Sequence, residues 1–228
     1  MVKNINYMSL LALILLLLSA CNKDITDFGY NGELSGTIKD ASGNIVPGDI
    51  TTANFIIRVK AEGDISTVDI RIKGDGKYAN TKLYPAKSKI WITGPIVSQP
   101  ATDTVVVDLT GGKKVVQDFV VKPVFSVAIP AVSGTPTSTS ASFTYSITAN
   151  STLNPSKREI YCSTLPYPNT STGSGPYYST IKVAMTTNSG TVNVTGLTAG
   201  TKYYCRIGVQ ASSTQMNFSD QITFTTPK

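Results

Sequence analysis

From about residue 34 onward, apolar side chains recur at every second position, and no segment shows a convincing period of 3.6. The runs are "TVDIRIK" (67–73), "TVVVDL" (104–109), "VVQDFVV" (115–121), "ASFTYSIT" (141–148) and "TVNVTGL" (191–197). Alternation of this kind puts one set of side chains on one face of a pleated strand and the rest on the other. Gly, Pro, Asn and Asp separate the runs, as at Gly74-Asp75-Gly76 and Thr110-Gly111-Gly112. Such residues supply the turn conformations that join short strands. The expectation is an all-β chain. Val68, Ile70 and Ile72 are expected on one face, and Tyr78, Leu83 and Ile90 are expected in a core.

The chain begins differently. Lys3 precedes an apolar stretch from Leu10 to Leu18, then Ser19, Ala20 and Cys21. A positive start, a short apolar run and small residues before a cut describe a secretory signal peptide, residues 1–20. A spanning helix needs about 20 apolar residues, which this run lacks. Leu18-Ser19-Ala20-Cys21 resembles the bacterial lipobox. That resemblance implies that the Cys21 thiol takes a diacylglycerol and becomes the first mature residue, a membrane anchor and not a catalytic thiol. Two or more acyl chains hold firmly, at about 0.8 kcal/mol per buried methylene. Residues 21–33 read as the lipidated tether. The resemblance implies a lipid-anchored protein at the outer membrane; "CNKD" partly resembles a surface-export signal, so the cell-surface face is expected, with the periplasmic face the alternative.

Composition narrows the chemistry. The chain contains no histidine, which excludes Ser–His–Asp and Cys–His nucleophile systems and histidine metal sites. The net charge of +6 is spread out, with Lys113-Lys114 and Lys157-Arg158 its densest points. No basic helix or aromatic–basic interleaving points to nucleic acid. Asp75, Asp103 and Asp108 lack the ligand spacing of a calcium loop. Glu62, Asp64 and Asp69 offer no paired-acid motif for glycoside hydrolysis. No metal, cofactor or enzymatic activity is expected.

Pro123, Pro130 and Pro136 cluster before a Ser/Thr run, and proline disfavours central strands. A boundary there divides the chain into residues 34–123 and 124–228, two tandem β-sandwiches of common domain size. In the first, "LSGTIKDASGNIVPG", "GDGKY" and "NTKLYPAKSKIWI" resemble the carboxypeptidase-regulatory-like domain, a transthyretin-like sandwich. Ala86 and Ser88 stand where that pattern has Gly and Tyr. In the second, "GLTAGTKYYCRIGV" resembles the corner of fibronectin type III domains at which a tyrosine hydroxyl bonds the backbone. Tyr203 takes that place. "REIYCST" and "SDQITFTT" would be its strand C and closing strand. The whole arrangement resembles a Bacteroidetes lipoprotein family of unassigned molecular function. Members are often encoded beside SusC/SusD-type glycan-uptake systems, which implies such neighbours as partners.

Aromatic side chains carry the binding argument. Trp91, the only tryptophan, falls on the face opposite Ile90 and Ile92. Tyr161, Tyr167, Tyr177 and Tyr178 cluster in a Pro/Gly/Ser-rich stretch, a setting where function concentrates. Flat rings with a polar edge suit stacking on sugars. These five residues are the candidate glycan contacts. Each could instead be a core or edge-strand residue. Thr104, in Asp103-Thr104-Val105, matches a short Bacteroidetes O-glycosylation motif. Cys162 and Cys205 are expected on neighbouring strands as two buried thiols, with a cross-strand disulfide the alternative. The functional expectation is a non-catalytic, membrane-anchored lipoprotein that binds polysaccharide or supports a glycan-uptake complex. The rival is a protein–protein scaffold or adhesin without sugar affinity.

Overall fold

The computed structural model describes residues 29–49, 55–97, 104–128, 130–169, 180–211 and 215–228. The readings on the signal peptide, Cys21, Asp103, Tyr177 and Tyr178 lie outside these residues. Asn31–Lys228 is one compact unit. Its named elements are strands, apart from a 3-10 turn at Thr110–Gly112. The all-β expectation holds.

Eight strands come first: β1 (Gly32–Lys39), β2 (Ile56–Ala61), β3 (Val68–Arg71), β4 (Lys77–Leu83), β5 (Lys87–Thr93), β6 (Val105–Asp108), β7 (Lys114–Val116) and β8 (Phe119–Val120). They form two sheets, β4-β1-β7 with β8 also on β1, and β3-β2-β5-β6. Between them lies a core that includes Leu34, Ile38, Tyr78 and Leu83 from one sheet and Ile57, Val59, Ile70 and Ile90 from the other. Fully burying one such side chain contributes roughly 1.5–3 kcal/mol. Tyr78, Leu83, Ile90, Ile70 and Ile72 face inward as the alternation predicts. Val68 shares that face, directly opposite buried Val59, but is 46% exposed at the start of an edge strand.

The turn motifs have physical reasons. Asp40 Oδ1 accepts from the backbone N–H of Ser42 (2.8 Å) and of Asn44 (2.9 Å), and Gly43 supplies the φ of 84° that closes the turn. Gly36 permits a close approach. A Cβ there would lie 1.9 Å from the Gln117 carbonyl oxygen, which also accepts the Tyr78 hydroxyl at 2.5 Å. Ser88 sits buried, and its hydroxyl donates to Ala86 O at 3.3 Å. The departures at Ala86 and Ser88 therefore remain compatible with the sandwich.

Nine strands follow: β9 (Phe125–Val127), β10 (Ala131–Ser133), β11 (Ser140–Ala149), β12 (Lys157–Ser163), β13 (Ile181–Ala184), β14 (Ser189–Thr195), β15 (Lys202–Gln210), β16 (Met216–Phe218) and β17 (Ile222–Thr225). One sheet is β10-β11-β14 with β9 on β11. The other is β13-β12-β15-β16 with β17 on β15. Ala141, Phe143, Tyr145 and Ile147 from β11 meet Ile160, Cys162, Tyr203, Cys205 and Ile207 in a second core. Tyr203 is buried, and its hydroxyl accepts from Thr198 N at 3.0 Å, the bond expected of the corner tyrosine.

The cysteines correct an expectation. Cys162 and Cys205 are direct partners in the antiparallel β12–β15 register, with Cα atoms 4.3 Å apart, and they form a disulfide rather than two free thiols. That Cα separation suits a non-hydrogen-bonded pair, where facing side chains come closest. Both residues are fully buried.

Candidate functional site

Of the candidate aromatics, Trp91 lies on the outward side of a regular strand. In β5, Ser88, Ile90 and Ile92 point into the core, so Lys87, Lys89, Trp91 and Thr93 point the other way. Trp91 is partly exposed. The β2–β5 register sets Arg58 directly opposite Trp91 and Lys60 opposite Lys89. On the far side of β5, Lys89 faces Val106 and Lys87 faces Asp108 of β6. Adjacent strands are about 4.8 Å apart, and residues two apart in a strand are about 6.6 Å apart. The result is a sheet face bearing an indole, Arg58, Lys60, Lys87 and Lys89 around it, and Val106, which is 63% exposed. Two of the carboxylates beside it are engaged. Asp69 Oδ1 lies 3.5 Å from Arg58 Nε, and Asp108 Oδ2 lies 2.5 Å from Lys113 Nζ. The bonds from Lys113 and Thr110 hold the Asp108 carboxyl far below the usual carboxylate range. Where the face meets the loop after β2, a depression of 540 Å³ is lined by Lys60, Lys87, Lys89, Glu62, Asp64 and Val106, among others. Thr104 is exposed, one residue before β6.

The tyrosine cluster does not assemble as a stacking surface. Tyr161 is fully buried, which corrects its assignment as a glycan contact. It packs with Met216 and Phe218, and its hydroxyl donates to Glu159 Oε2 at 2.6 Å. Burial, reinforced by that bond, raises its pKa far above the ordinary tyrosine value. The reason is that both faces of β12 are covered: Ile160 and Cys162 face the core, and Tyr161 lies beneath the junction with the first eight strands. Tyr167 is 37% exposed, but its ring lies against Gly74, where a Cβ would come within 2.4 Å of it. Its backbone N–H donates to Gln221 Oε1 at 2.7 Å. Tyr167 thus joins the "GDGKY" turn to the second group of strands.

Arg206 organises that junction, a role the sequence reading missed. It lies opposite Tyr161 in the register and is 1% exposed. Its Nε donates to Pro168 O, its Nη1 donates to Gly48 O at 3.0 Å, and its guanidinium covers the Phe218 ring at 3.8 Å. Burial lowers its pKa to about 10, partly opposed by the nearby Asp49. Asn217 adds a second strut, donating to Pro95 O and accepting from Phe125 N, both at 2.9 Å. A cleft of 320 Å³ at this junction is lined by Asp40, Asn44, Phe125, Asn217 and Asp220 among others. Burial raises the Asp220 carboxyl. Asp40 and Asn217 already serve the turn and the strut, so this cleft offers a ligand fewer unengaged groups than the Trp91 face does.

Three solved Bacteroidetes proteins share this fold. A Bacteroides uniformis "putative carbohydrate binding protein" aligns with a TM-score of 0.66 and 18% identity, over 86% of this chain and 100% of its own. A DUF3823 family protein from Parabacteroides merdae gives 0.65 and 15% identity, over 85% of this chain and 98% of its own. A second, from Bacteroides ovatus, gives 0.60 and 20% identity, over 84% and 97%. No protein-family model matches the chain, and no curated protein matches it. Among the described residues, no cluster of three or more His, Cys, Asp or Glu side chains could hold a metal ion, and no helix is long and apolar enough to cross a membrane.

Proposed function

We propose that this chain is a non-catalytic glycan-binding lipoprotein, anchored through acylated Cys21 at the outer membrane and facing the cell surface. The observation that carries the reading is Trp91, set outward on the β3-β2-β5-β6 face with Arg58 across from it. Its indole supplies a flat apolar platform, and the neighbouring side chains supply donors for hydroxyl groups. The carbohydrate-binding name of the Bacteroides uniformis neighbour agrees with this reading. A site with one ring and a few hydrogen bonds should bind in the micromolar to millimolar range, where 1 mM corresponds to about −4 kcal/mol. Many anchored copies on one surface raise the effective concentration enough for such binding to serve capture. SusC/SusD-type uptake proteins are the proposed neighbours.

The test is calorimetry of the full-length chain against a panel of neutral and acidic polysaccharides, repeated with Trp91→Ala. Binding that is abolished by the substitution is the expected result. Binding that survives it places the site elsewhere, and failure of every polysaccharide favours the scaffold reading.

A further inference from the structure

We infer that the Trp91 face selects acidic polysaccharide, a polymer bearing carboxylate or sulfate groups. This rests on the glycan-binding reading and adds the chemical class. The argument begins with an arrangement that folding alone does not favour. Lys60 and Lys89 are directly opposed across β2 and β5, and like charges in that position destabilise a sheet. Lys87 follows two residues before Lys89 on the same face, about 6.6 Å away. The ion pairs among the described residues engage Lys39, Arg58, Lys77, Lys113, Lys114 and Lys157. None engages Lys60, Lys87 or Lys89. Glu62 and Asp64 share the depression with these three lysines, and neither forms an ion pair with them.

The three ammonium groups thus stand on one face, adjoining an indole and an exposed valine. From the Trp91 row to the Lys87 row is two steps of the strand, about 13 Å. A polymer lying along β5 meets a stacking ring first and point charges at two further positions. The depression at the lysine end gives room for a bulky anionic group. Lysine binds an anion as a point charge without a fixed fork, which suits carboxylate or sulfate groups in varied orientations along a chain. A lysine pair that repels itself is relieved when an anion lies between its members, so part of the binding comes from strain present in the free protein.

The experiment uses polygalacturonate and its fully methyl-esterified form, which share a backbone and differ in charge. The full-length chain is compared with Trp91→Ala and with a Lys60→Gln/Lys87→Gln/Lys89→Gln triple variant. All four positions face outward, and a urea midpoint at or above that of wild type confirms that each variant is folded, a rise in the triple variant being expected from loss of the Lys60–Lys89 repulsion. The expected result is that the free acid binds at least about tenfold more tightly than the ester at low salt, since each exposed lysine adds a modest attraction and three act together. That advantage should shrink at 1 M salt, where the Debye length is about 3 Å. It should vanish in the triple variant, and Trp91→Ala should weaken both polymers. If acid and ester bind equally and the triple variant is unchanged while Trp91→Ala abolishes binding, the glycan reading stands and the charge inference is overturned. If neither polymer binds but other neutral glycans do, the outcome is the same. If anionic lipid vesicles bind through the lysines and no polysaccharide binds, both readings fall.

Discussion

Reducing the Cys162–Cys205 bond should cost the protein a large share of its stability. The two residues are 43 positions apart, so the bond closes a long loop in the unfolded chain. The chain-entropy relation for a loop of that length gives about 4 kcal/mol at 25 °C. Small domains carry roughly 5–15 kcal/mol in total, so this is enough to change how the second group of strands behaves. The assay is urea unfolding of the oxidised protein, the fully reduced protein and a Cys162→Ala/Cys205→Ala variant. With an m-value near 2 kcal/mol/M, the reduced midpoint should fall by about 2 M. The variant should fall further, because removing the two fully buried sulfur atoms also leaves space in the core. Reduction of the native protein should be slow, since neither sulfur is open to solvent and attack needs a thiolate in contact with the bond. Two results would refute the reasoning. One is an unreduced mass equal to the reduced mass, which means that the thiols never pair. The other is a midpoint shift below about 0.5 M, which means that the loop is already constrained without the bond.

Arg206→Met should destabilise by about 2 kcal/mol, because the backbone carbonyls of Gly48 and Pro168 stay buried and lose a charged donor, while removing the desolvated cation returns part of the loss; a urea midpoint at or above wild type would contradict this. Asp118 accepts from Lys39 Nζ and Thr37 N, both at 2.8 Å, and these bonds hold its carboxyl below the ordinary value of 3.8 against a slight opposing effect of burial. Its contribution is therefore present above about pH 4 and lost as pH falls through the lowered value. Asp118→Asn should cost roughly 0.5–1 kcal/mol at pH 7, the modest figure suited to an exposed pair, and the difference from wild type should shrink as the pH is taken down below the ordinary carboxylate value; denaturation midpoints across that range measure it. Cys21→Ser should leave an unprocessed precursor without acyl chains, and intact mass would show a cleaved, acylated product if the anchor lies elsewhere.

Much of this molecule follows from alternation, because inward and outward positions along a strand depend only on the chain's own period. The inward set Ala141, Phe143, Tyr145 and Ile147, the core positions Tyr78, Leu83 and Ile90, and the outward position of Trp91 were all available from spacing. So was the Asp40–Gly43 turn, whose bonds are local. The partners of these residues were not available, since strand register joins segments far apart in the chain. It is the β12–β15 register that sets Cys162 against Cys205 and Tyr161 against Arg206, across 43 and 45 residues respectively. It is the β2–β5 register that brings Arg58 and Lys60 beside Trp91 and Lys89. Alternation also treats the second face of a strand as wet. Tyr161 is dry because β12 is covered on that side by Phe218, Met216 and the Arg206 junction. A period states which way a side chain points, and only the packed structure decides whether water, a neighbouring strand or another charge is there to meet it.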